Sequence, residues 1–251
     1  MDVKERDNFI EKWRKYFGEA ELPIASYYAD EEHSAEIVQP GSGWRCLIEQ
    51  LQEVRNGASL AFTGGAIGCP GGKRYTGFTD KLRPGFEFFL SCGIPGKMEG
   101  ERYKKTPELV RELLETMPQY RAPAKYIVFK RWDKLNAGDE PAIAIFYATP
   151  DVLAGLFTLA NFDRAEPNGV AAPFAAGCGT AIQYPYLEQQ AANPRAFLGM
   201  FDPSARPFVG NHILTFSVPM KRLRAMIADM DESFLITPTW DAVRKRIGGE
   251  K

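Results

Sequence analysis

The sequence predicts an α+β fold made of two similar strand–helix–strand halves. One observation is that two kinds of apolar segment alternate along the chain: short runs rich in strand-forming residues, and longer runs with apolar residues at helical spacing. A second is that both halves end on the pattern Ala-x-Gly-Cys, at residues 66–69 and 175–178. We therefore expect mixed sheets with helices packed on them, and an internal pseudo-two-fold that brings Cys69 and Cys178 together.

The first half is predicted to begin with a helix. Large apolar residues share one face of residues 7–17, and the following segment, residues 23–30, is rich in residues that favour strands. A second helix is expected to end at Gly57, because glycine is a common helix terminator. Its residues are 45–56, and the half continues with strands at residues 59–65 and 86–93 and a helix at residues 106–116.

The second half follows a similar order. Thr149 suits an N-cap and Pro150 suits the first turn, so a helix is predicted over residues 151–160. Residues 169–176 are small and predict a strand or a loop. The other predicted elements are strands at residues 125–132, 142–148 and 212–219 and helices at residues 221–230 and 240–247.

Composition indicates an ordinary globular protein. Of 251 residues, 45% are hydrophobic and 25% are charged, so we predict a single domain, 1–251, built of half-units at about 20–120 and 121–250. Lys and Arg total 31 and Asp and Glu total 32, which gives a net charge of −1. Because nucleic-acid-binding proteins usually carry a basic excess, we expect no nucleic-acid partner.

The cysteine content and the apolar segments bear on location. Four cysteines are too few for a disulfide scaffold. The N-terminal segment is charged and has no apolar core of a signal peptide, and Pro150 and Asp151 interrupt the most apolar stretch, residues 141–160. We therefore expect a cytoplasmic protein without a membrane span and with reduced cysteines. The sequence indicates no oligomeric state.

Glycine-flanked cysteines are the candidate functional residues. Glycine lets the backbone approach a ligand closely, so such turns can present a thiolate or backbone N–H groups to a cofactor. Cys46 differs, because it opens a helix whose N-terminus favours the thiolate. The candidate cofactor-binding residues are Gly68, Cys69, Gly71, Gly177, Cys178 and Gly179. The candidate metal ligands, for an iron–sulfur cluster or zinc, are Cys69, Cys178, Cys92 and Cys46.

Other interpretations of these residues stay open. Free cysteines are often small buried hydrophobic residues, and the chain has no Cys-x-x-Cys pair. Arg206 lies between two prolines, and with Asp202 it is predicted to clamp a carboxylate or a phosphate. Alternatively, the two residues only close a turn. A nucleophilic Cys69 would need a base, and the chain has only two histidines, His33 and His212.

Several of these features together resemble the domain-of-unknown-function 169 family. They are Cys46 at a helix start, the loop Ala66-Ile67-Gly68-Cys69-Pro70-Gly71-Gly72, Cys178 in a glycine turn, and the segment from Asp202 to Arg206 before the strand at 212–219. The resemblance covers about residues 22–247. It implies that Cys46, Cys69 and Cys178 are family-motif positions, and it implies no reaction. Family members often carry a further Cys-Gly-type motif where this chain has Ser204-Ala205-Arg206, so a four-thiolate cluster would require Cys92.

Two functions follow as expectations. The first is a protein that binds a metal or an iron–sulfur cofactor through its glycine-flanked cysteines and acts with a redox partner or a small molecule. The second is a metal-free module that binds a small anionic molecule at its glycine-rich turns and Arg206, with cysteines that only pack.

Overall fold

The structure is a computed structural model that describes residues 1–249, so the last two residues of the predicted domain lie outside the described part. Within that part, eight strands form one mixed sheet accompanied by nine α-helices, which confirms the α+β class. The strands are β1 (Ile24–Ala29), β2 (Glu36–Ile37), β3 (Ser59–Phe62), β4 (Tyr126–Arg131), β5 (Ile143–Ala148), β6 (Val170–Ala171), β7 (Ala196–Gly199) and β8 (Leu214–Pro219).

The helices include all six that the sequence predicted. They are α1 (Val3–Phe17), α2 (Leu47–Arg55), α3 (Pro70–Tyr75), α4 (Phe86–Phe89), α5 (Pro107–Thr116), α6 (Pro150–Leu159), α7 (Tyr184–Glu188), α8 (Met220–Asp229) and α9 (Pro238–Ile247). A π-helical segment, Gly179–Gln183, runs directly into α7. No helix of residues 1–249 has both the length and the apolar character needed to cross a membrane.

The sheet has the strand order β2-β3-β4-β1-β5-β8-β7-β6. In the first four strands, β1 pairs antiparallel with β4, β4 antiparallel with β3, and β3 parallel with β2. The last four repeat these pairings: β5 with β8, β8 with β7 and β7 with β6. The antiparallel pair β1 and β5 joins the two sets.

This pairing pattern changes which cysteines correspond. If β2 and β3 correspond to β6 and β7, then Cys46, between β2 and β3, stands in the place of Cys178, between β6 and β7. The sequence pattern had instead matched Cys69 with Cys178. The pattern also places β4 with the first four strands, beyond the predicted boundary near residue 120. A pseudo-two-fold that relates whole half-units stays a prediction.

One face of the sheet, which we call the aromatic face, is covered by α1, α6, α8 and α9. Side chains of a strand alternate between faces, so Tyr126 and Val128 of β4 point to this side and Ile127 and Phe129 to the other. Trp13 stacks on Phe17 with ring centroids 4.2 Å apart. The face is an aromatic core whose largest members are Phe9, Trp13, Phe17, Trp132, Phe146, Phe216 and Trp240.

The opposite face, which we call the thiol face, is covered by α2 and the π-helical segment. Leu47, Ile48, Leu51 and Val54 of α2 form a buried stripe at helical spacing against the strands. Two cysteines, Cys46 and Cys178, belong to the same buried cluster. The sheet thus separates an aromatic core from the side on which the candidate residues lie.

The segment predicted as a strand at residues 86–93 is instead the short helix α4 followed by a turn. Gly85 precedes the helix in the left-handed conformation (φ 73°), and the side chains of α4 are only half-buried. No strand of the described residues lies beside this apolar run, and its backbone groups hydrogen-bond to one another within the helix and the turn. The sequence reasoning also missed the short strands β2 and β7 and the helices α3 and α7, and it left the π-helical segment unassigned.

Candidate functional site

Cys46 lies at the N-cap of α2 and is buried. Burial raises the pKa of its thiol; the backbone amides of Glu49 and Ile48 in the first turn partly offset this, and the neighbouring Cys69 raises the pKa further. Burial therefore raises the pKa of the Cys46 thiol more than the amides at the helix start lower it. The thiol is predominantly protonated at neutral pH.

Cys69 lies at the N-cap of α3 and is partly exposed. Its Sγ accepts a hydrogen bond from the Gly72 backbone amide at 3.5 Å. The flanking glycines allow close packing, because a Cβ on Gly68 would lie 3.1 Å from the Arg45 backbone nitrogen and one on Gly72 would lie 3.3 Å from Leu47 Cβ. The glycine residues thus let the start of α3 pack against the start of α2, next to Cys46.

Cys178 opens the π-helical segment and is buried. Burial raises the pKa of its thiol well above the usual value, and the neighbouring Cys69, Cys46 and Asp202 raise it further. Gly177 precedes it, and a Cβ there would lie 3.1 Å from Ala205 Cβ and 3.4 Å from Ile48 Cγ1 of α2. The glycine turn therefore brings Cys178 against α2.

Three cysteines from separate segments thus lie near one another on the thiol face, and we call Cys46, Cys69 and Cys178 the thiol site. Each begins a helical segment, and each lies close enough to another for their charges to interact. Among residues 1–249, no three His, Cys, Asp or Glu side chains are arranged to coordinate a metal ion. The site is therefore a set of neighbouring thiols rather than a preformed coordination sphere.

Cys92, the fourth candidate metal ligand, lies in a surface turn. Its side chain is exposed, and its thiol donates to the carbonyl of Gly93 at 3.5 Å. Ile94 and Met98 pair across the same turn, which also lines a shallow surface depression. The expectation that Cys92 completes a four-cysteine cluster gains no support from this placement.

Asp202 and Arg206, the predicted anion clamp, both hydrogen-bond to nearby loops in this structure. The Asp202 carboxylate accepts hydrogen bonds from the Gly177 amide at 3.2 Å and from Ser204, so it fixes the turn that carries Cys178. The Arg206 guanidinium donates to the backbone carbonyls of Ile213, Gly210 and Asn211. Both side chains hold loops, Asp202 at the edge of the thiol site and Arg206 around the start of β8.

Several tyrosines lie beside the thiol site, and Tyr28, Tyr75 and Tyr120 were not predicted from the sequence as site residues. Burial and the neighbouring Cys178 raise the pKa of Tyr75 to about 12. Tyr28 and Tyr120 share a hydrogen bond of 2.6 Å, and Tyr120 also donates to the Tyr75 carbonyl at 3.1 Å. These contacts tie the segment between β3 and β4 to the site.

Tyr147 of β5 is the other tyrosine that sequence reasoning missed. Burial raises the pKa of its hydroxyl, and the charges that act on it include those of Arg55, Cys178 and Cys46. In the sequence, Tyr147 is marked only by its position in the apolar strand β5. That position predicts that the residue is buried but not that it belongs to a site.

The two histidines lie away from the thiols. His212 is exposed and its Nδ1 lies 2.9 Å from the side-chain oxygen of Asn211. His33 lies 3.5 Å from Asp139, which belongs with Lys130 to the aromatic face. Neither of these contacts involves Cys69.

The fold and the site define an α+β protein with a thiol site between a mixed sheet and the starts of three helical segments. The chain belongs to the domain-of-unknown-function 169 family, described as uncharacterised ArCR, whose model matches residues 14–229. The match confirms the family predicted from the cysteine motifs and includes all three residues of the thiol site. The comparisons with curated proteins and with solved structures give no match.

Proposed function

We propose that the thiol site is the functional centre of this protein and that it binds a thiophilic cofactor, a soft metal ion or an iron–sulfur cluster. The observation that carries the proposal is the meeting of Cys46, Cys69 and Cys178, which come from three distant segments, at the starts of three helical segments. Packing alone would not require three cysteines at one place.

The electrostatics of the site support a cationic, sulfur-binding occupant. Burial and the repulsion of neighbouring thiolates raise the pKa values of Cys46 and Cys178, so these two thiols are protonated at neutral pH when no cation is bound. A soft metal ion removes this repulsion, since it binds thiolates and displaces their protons. Helix starts supply backbone N–H groups of the kind that hydrogen-bond to ligating sulfurs.

Ligation requires a rearrangement of the described side chains. Cys69 is the residue best placed to move, because it is the only partly exposed thiol of the three and is followed by Gly71 and Gly72. The hydrogen bond that its sulfur accepts from the Gly72 amide is weak, because a thiol sulfur is a weak acceptor. A rotation of Cys69 towards the two buried thiols would bring the three sulfurs closer together.

The test is the content of iron, zinc and acid-labile sulfide in protein purified without oxygen. Wild type is compared with Cys69→Ala, Cys178→Ala and the matched control Cys92→Ala, an exposed cysteine outside the site. We expect stoichiometric metal in wild type and in Cys92→Ala and its loss in the other two variants. Folded wild-type protein without metal or sulfide would refute the cofactor proposal.

A metal-free small-molecule binding site is the second candidate. Exposed aromatic side chains precede two of the thiols and Asp202: Trp44 is 61% exposed, Phe174 53% and Phe201 56%. Such side chains suit an organic ligand, which they can cover by stacking. Because the Arg206 guanidinium is occupied by backbone carbonyls, this candidate no longer relies on an arginine clamp.

A further inference from the structure

Three of the four most exposed large hydrophobic side chains among residues 1–249 lie around the thiol site. They belong to Trp44, Phe174 and Phe201, and each is more than half exposed. Single exposed apolar residues are common on protein surfaces, but a group of large ones around one site is typical of an interaction surface. The group also lies beside Cys69, which is the only partly exposed thiol of the site.

The loops that carry these aromatic residues are joined to one another. The Trp44 ring packs against Phe208, with ring centroids 6.3 Å apart, and the loop between β7 and β8 carries both Phe201 and Phe208. The carboxylate that follows Phe201 accepts a hydrogen bond from the Gly177 amide at 3.2 Å, and Phe174 lies three residues before that glycine. The three exposed side chains therefore belong to one surface.

A lysine borders the same surface. Lys104 Nζ lies 4.2 Å from the centroid of the Phe174 ring, which is a cation–π contact. Burial raises the pKa of the preceding Tyr103, and the charge of Asp202 raises it further, so this segment lies beside the loop of Phe201. We call this surface the rim, and its members are Trp44, Phe174, Phe201 and Lys104.

Lys104 belongs to a long segment with an excess of positive charge. Residues 63–125, between β3 and β4, correspond in the pairing pattern to the much shorter residues 200–213, between β7 and β8. We call residues 63–125 the insert. It contains 11 Lys and Arg against 7 Asp and Glu, which leaves 20 and 25 of the totals of 31 and 32 for the rest of the chain. The rim therefore lies at the edge of a positive segment on a molecule that is otherwise negative.

Little of the positive charge of the insert is neutralised by ion pairs. Within the described part of the chain, Arg111 is the one cation of the insert that lies within 4 Å of a carboxylate. Apolar anchors beside cations of this kind complement a protein surface that carries carboxylates. The charge of the insert thus selects an acidic partner.

A protein fits the rim better than a nucleic acid does. Cations and exposed aromatic side chains also bind single-stranded nucleic acid. However, the carboxylates of Asp202 and Glu101 lie beside the rim, and they would repel a phosphate backbone, which is charged at every nucleotide. A folded protein can place carboxylates opposite the cations and apolar side chains opposite the aromatic rings.

We propose that the rim and the adjoining insert are the docking surface for an acidic protein partner. What the partner does there rests on the proposed function, because the rim surrounds Cys69 and a docked protein would lie next to the occupant of the thiol site. The docking itself requires only the rim and the insert, so it can be tested apart from that occupant.

The test measures binding of an acidic plant-type ferredoxin by isothermal titration calorimetry. Cytochrome c, a small basic protein, is the control probe. The variants Trp44→Ala and Lys104→Glu change the rim. The matched controls are Phe157→Ala and Lys4→Glu, which change an exposed aromatic residue of α6 and an exposed cation of α1 on the opposite face of the sheet. Circular dichroism checks that each variant is folded.

We expect ferredoxin to bind wild type at low salt, and Trp44→Ala and Lys104→Glu each to raise its Kd at least about tenfold. About 0.5 M salt should weaken the complex because it screens the charges. The control variants should bind ferredoxin as wild type does, and the rim variants should not change any binding of cytochrome c.

Two results would overturn the proposal. One is the absence of ferredoxin binding, or an equal loss of binding in the control variants. The other is equally tight binding of a single-stranded oligonucleotide that also depends on Trp44, since the rim would then be a nucleic-acid site. None of these results depends on metal or sulfide content, so the docking surface and the cofactor proposal can fail separately.

Discussion

The two faces of the sheet bury comparable numbers of large side chains but treat polar groups differently. On the aromatic face, the buried ion pair between Lys130 and Asp139 is fully bonded: the Lys130 amine contacts both carboxylate oxygens at 2.9 and 3.0 Å, and the Tyr27 hydroxyl and the Asn136 amide donate to the same carboxylate. On the thiol face, the hydroxyls of Tyr147, Thr215 and Ser217 have no partner in the described part of the chain, and burial raises the pKa of two thiols, those of Cys46 and Cys178. Among the polar side chains that the strands carry, Lys130 is fully bonded in its ion pair on the aromatic face, whereas these three hydroxyls on the thiol face are without a partner in the described part of the chain.

The largest expected effect is the loss of an aromatic anchor. Trp13 is 1% exposed, and its indole donates to the Ala20 carbonyl at 3.0 Å. Trp13→Ala should lower the free energy of unfolding by roughly 3–5 kcal/mol, because it removes a large buried side chain and leaves a cavity. Urea unfolding measures this change, with the exposed Trp44→Ala as the control. Similar losses for both variants would show that the aromatic face is not the main source of stability.

The ion pair of the aromatic face comes next. Asp139→Ala should cost about 3–5 kcal/mol, since it leaves the Lys130 charge buried without a partner. Asp133→Ala is the control, because its pair with Arg131 is partly exposed and worth less than about 1 kcal/mol. Urea unfolding of both variants compares the two pairs. An equal cost would mean that the buried pair is solvated more than its burial indicates.

The same carboxylate predicts a pH dependence. Burial alone would raise the pKa of Asp139, but the Asn136 amide, the Tyr27 hydroxyl and Lys130 outweigh it and hold the pKa below the usual value. The stabilisation is therefore complete above the unfolded-state pKa of about 4 and is lost as the pH falls below it towards the folded-state pKa. Urea midpoints at several pH values should fall more steeply below pH ~4 for wild type than for Asp139→Asn. Parallel curves would contradict this assignment.

Gly155 of α6 and Gly177 before Cys178 differ in how much space their neighbours leave for a side chain. A Cβ on Gly155 would clash with Trp240 and lie 2.7 Å from the Phe17 ring, whereas one on Gly177 would lie 3.1 Å from Ala205 Cβ. Gly155→Ala should therefore cost about 1–3 kcal/mol and Gly177→Ala less, measured by urea unfolding. Gly41→Ala is the control, because nothing lies within 4 Å of the added methyl group. A larger cost at Gly177 would reverse the comparison.

A smaller effect should separate the cysteines themselves. In native protein at neutral pH, iodoacetamide should modify exposed Cys92 first and partly exposed Cys69 second, with Cys46 and Cys178 protected. Each unit by which a pKa is raised removes about tenfold of the reactive thiolate. Peptide mass spectrometry over time measures the order. Fast modification of Cys178 would show that the thiol face opens to solvent.

The sequence predicted the parts of the fold that are regular and apolar. The helix α1 and the strands β1, β4, β5 and β8 have clear apolar patterns, and their prediction was confirmed. The helix α3 and the π-helical segment were missed because their glycines, at positions 71, 72 and 179, resemble a loop in sequence. Glycines there serve close packing rather than chain reversal, and only the tertiary contacts show this.

The candidate site was predictable to a similar extent. The repeated Ala-x-Gly-Cys pattern led to the expectation that Cys69 and Cys178 lie together, and in the structure Cys69 is a neighbour of Cys178. The placement of Cys92, Arg206 and Tyr147 was not predictable, because each depends on which loop or strand lies opposite. A single sequence does not contain those long-range pairings.

The central claim is that Cys46, Cys69 and Cys178 form one electrostatically coupled site and that Cys92 stands outside it. The most direct measurement is the pH titration of each cysteine Cβ by NMR, in wild type and in Cys69→Ala. We predict that Cys178 titrates well above the usual value in wild type and that its pKa falls in Cys69→Ala, because a like charge has been removed. A Cys178 titration unaffected by the loss of Cys69 would contradict the existence of the site.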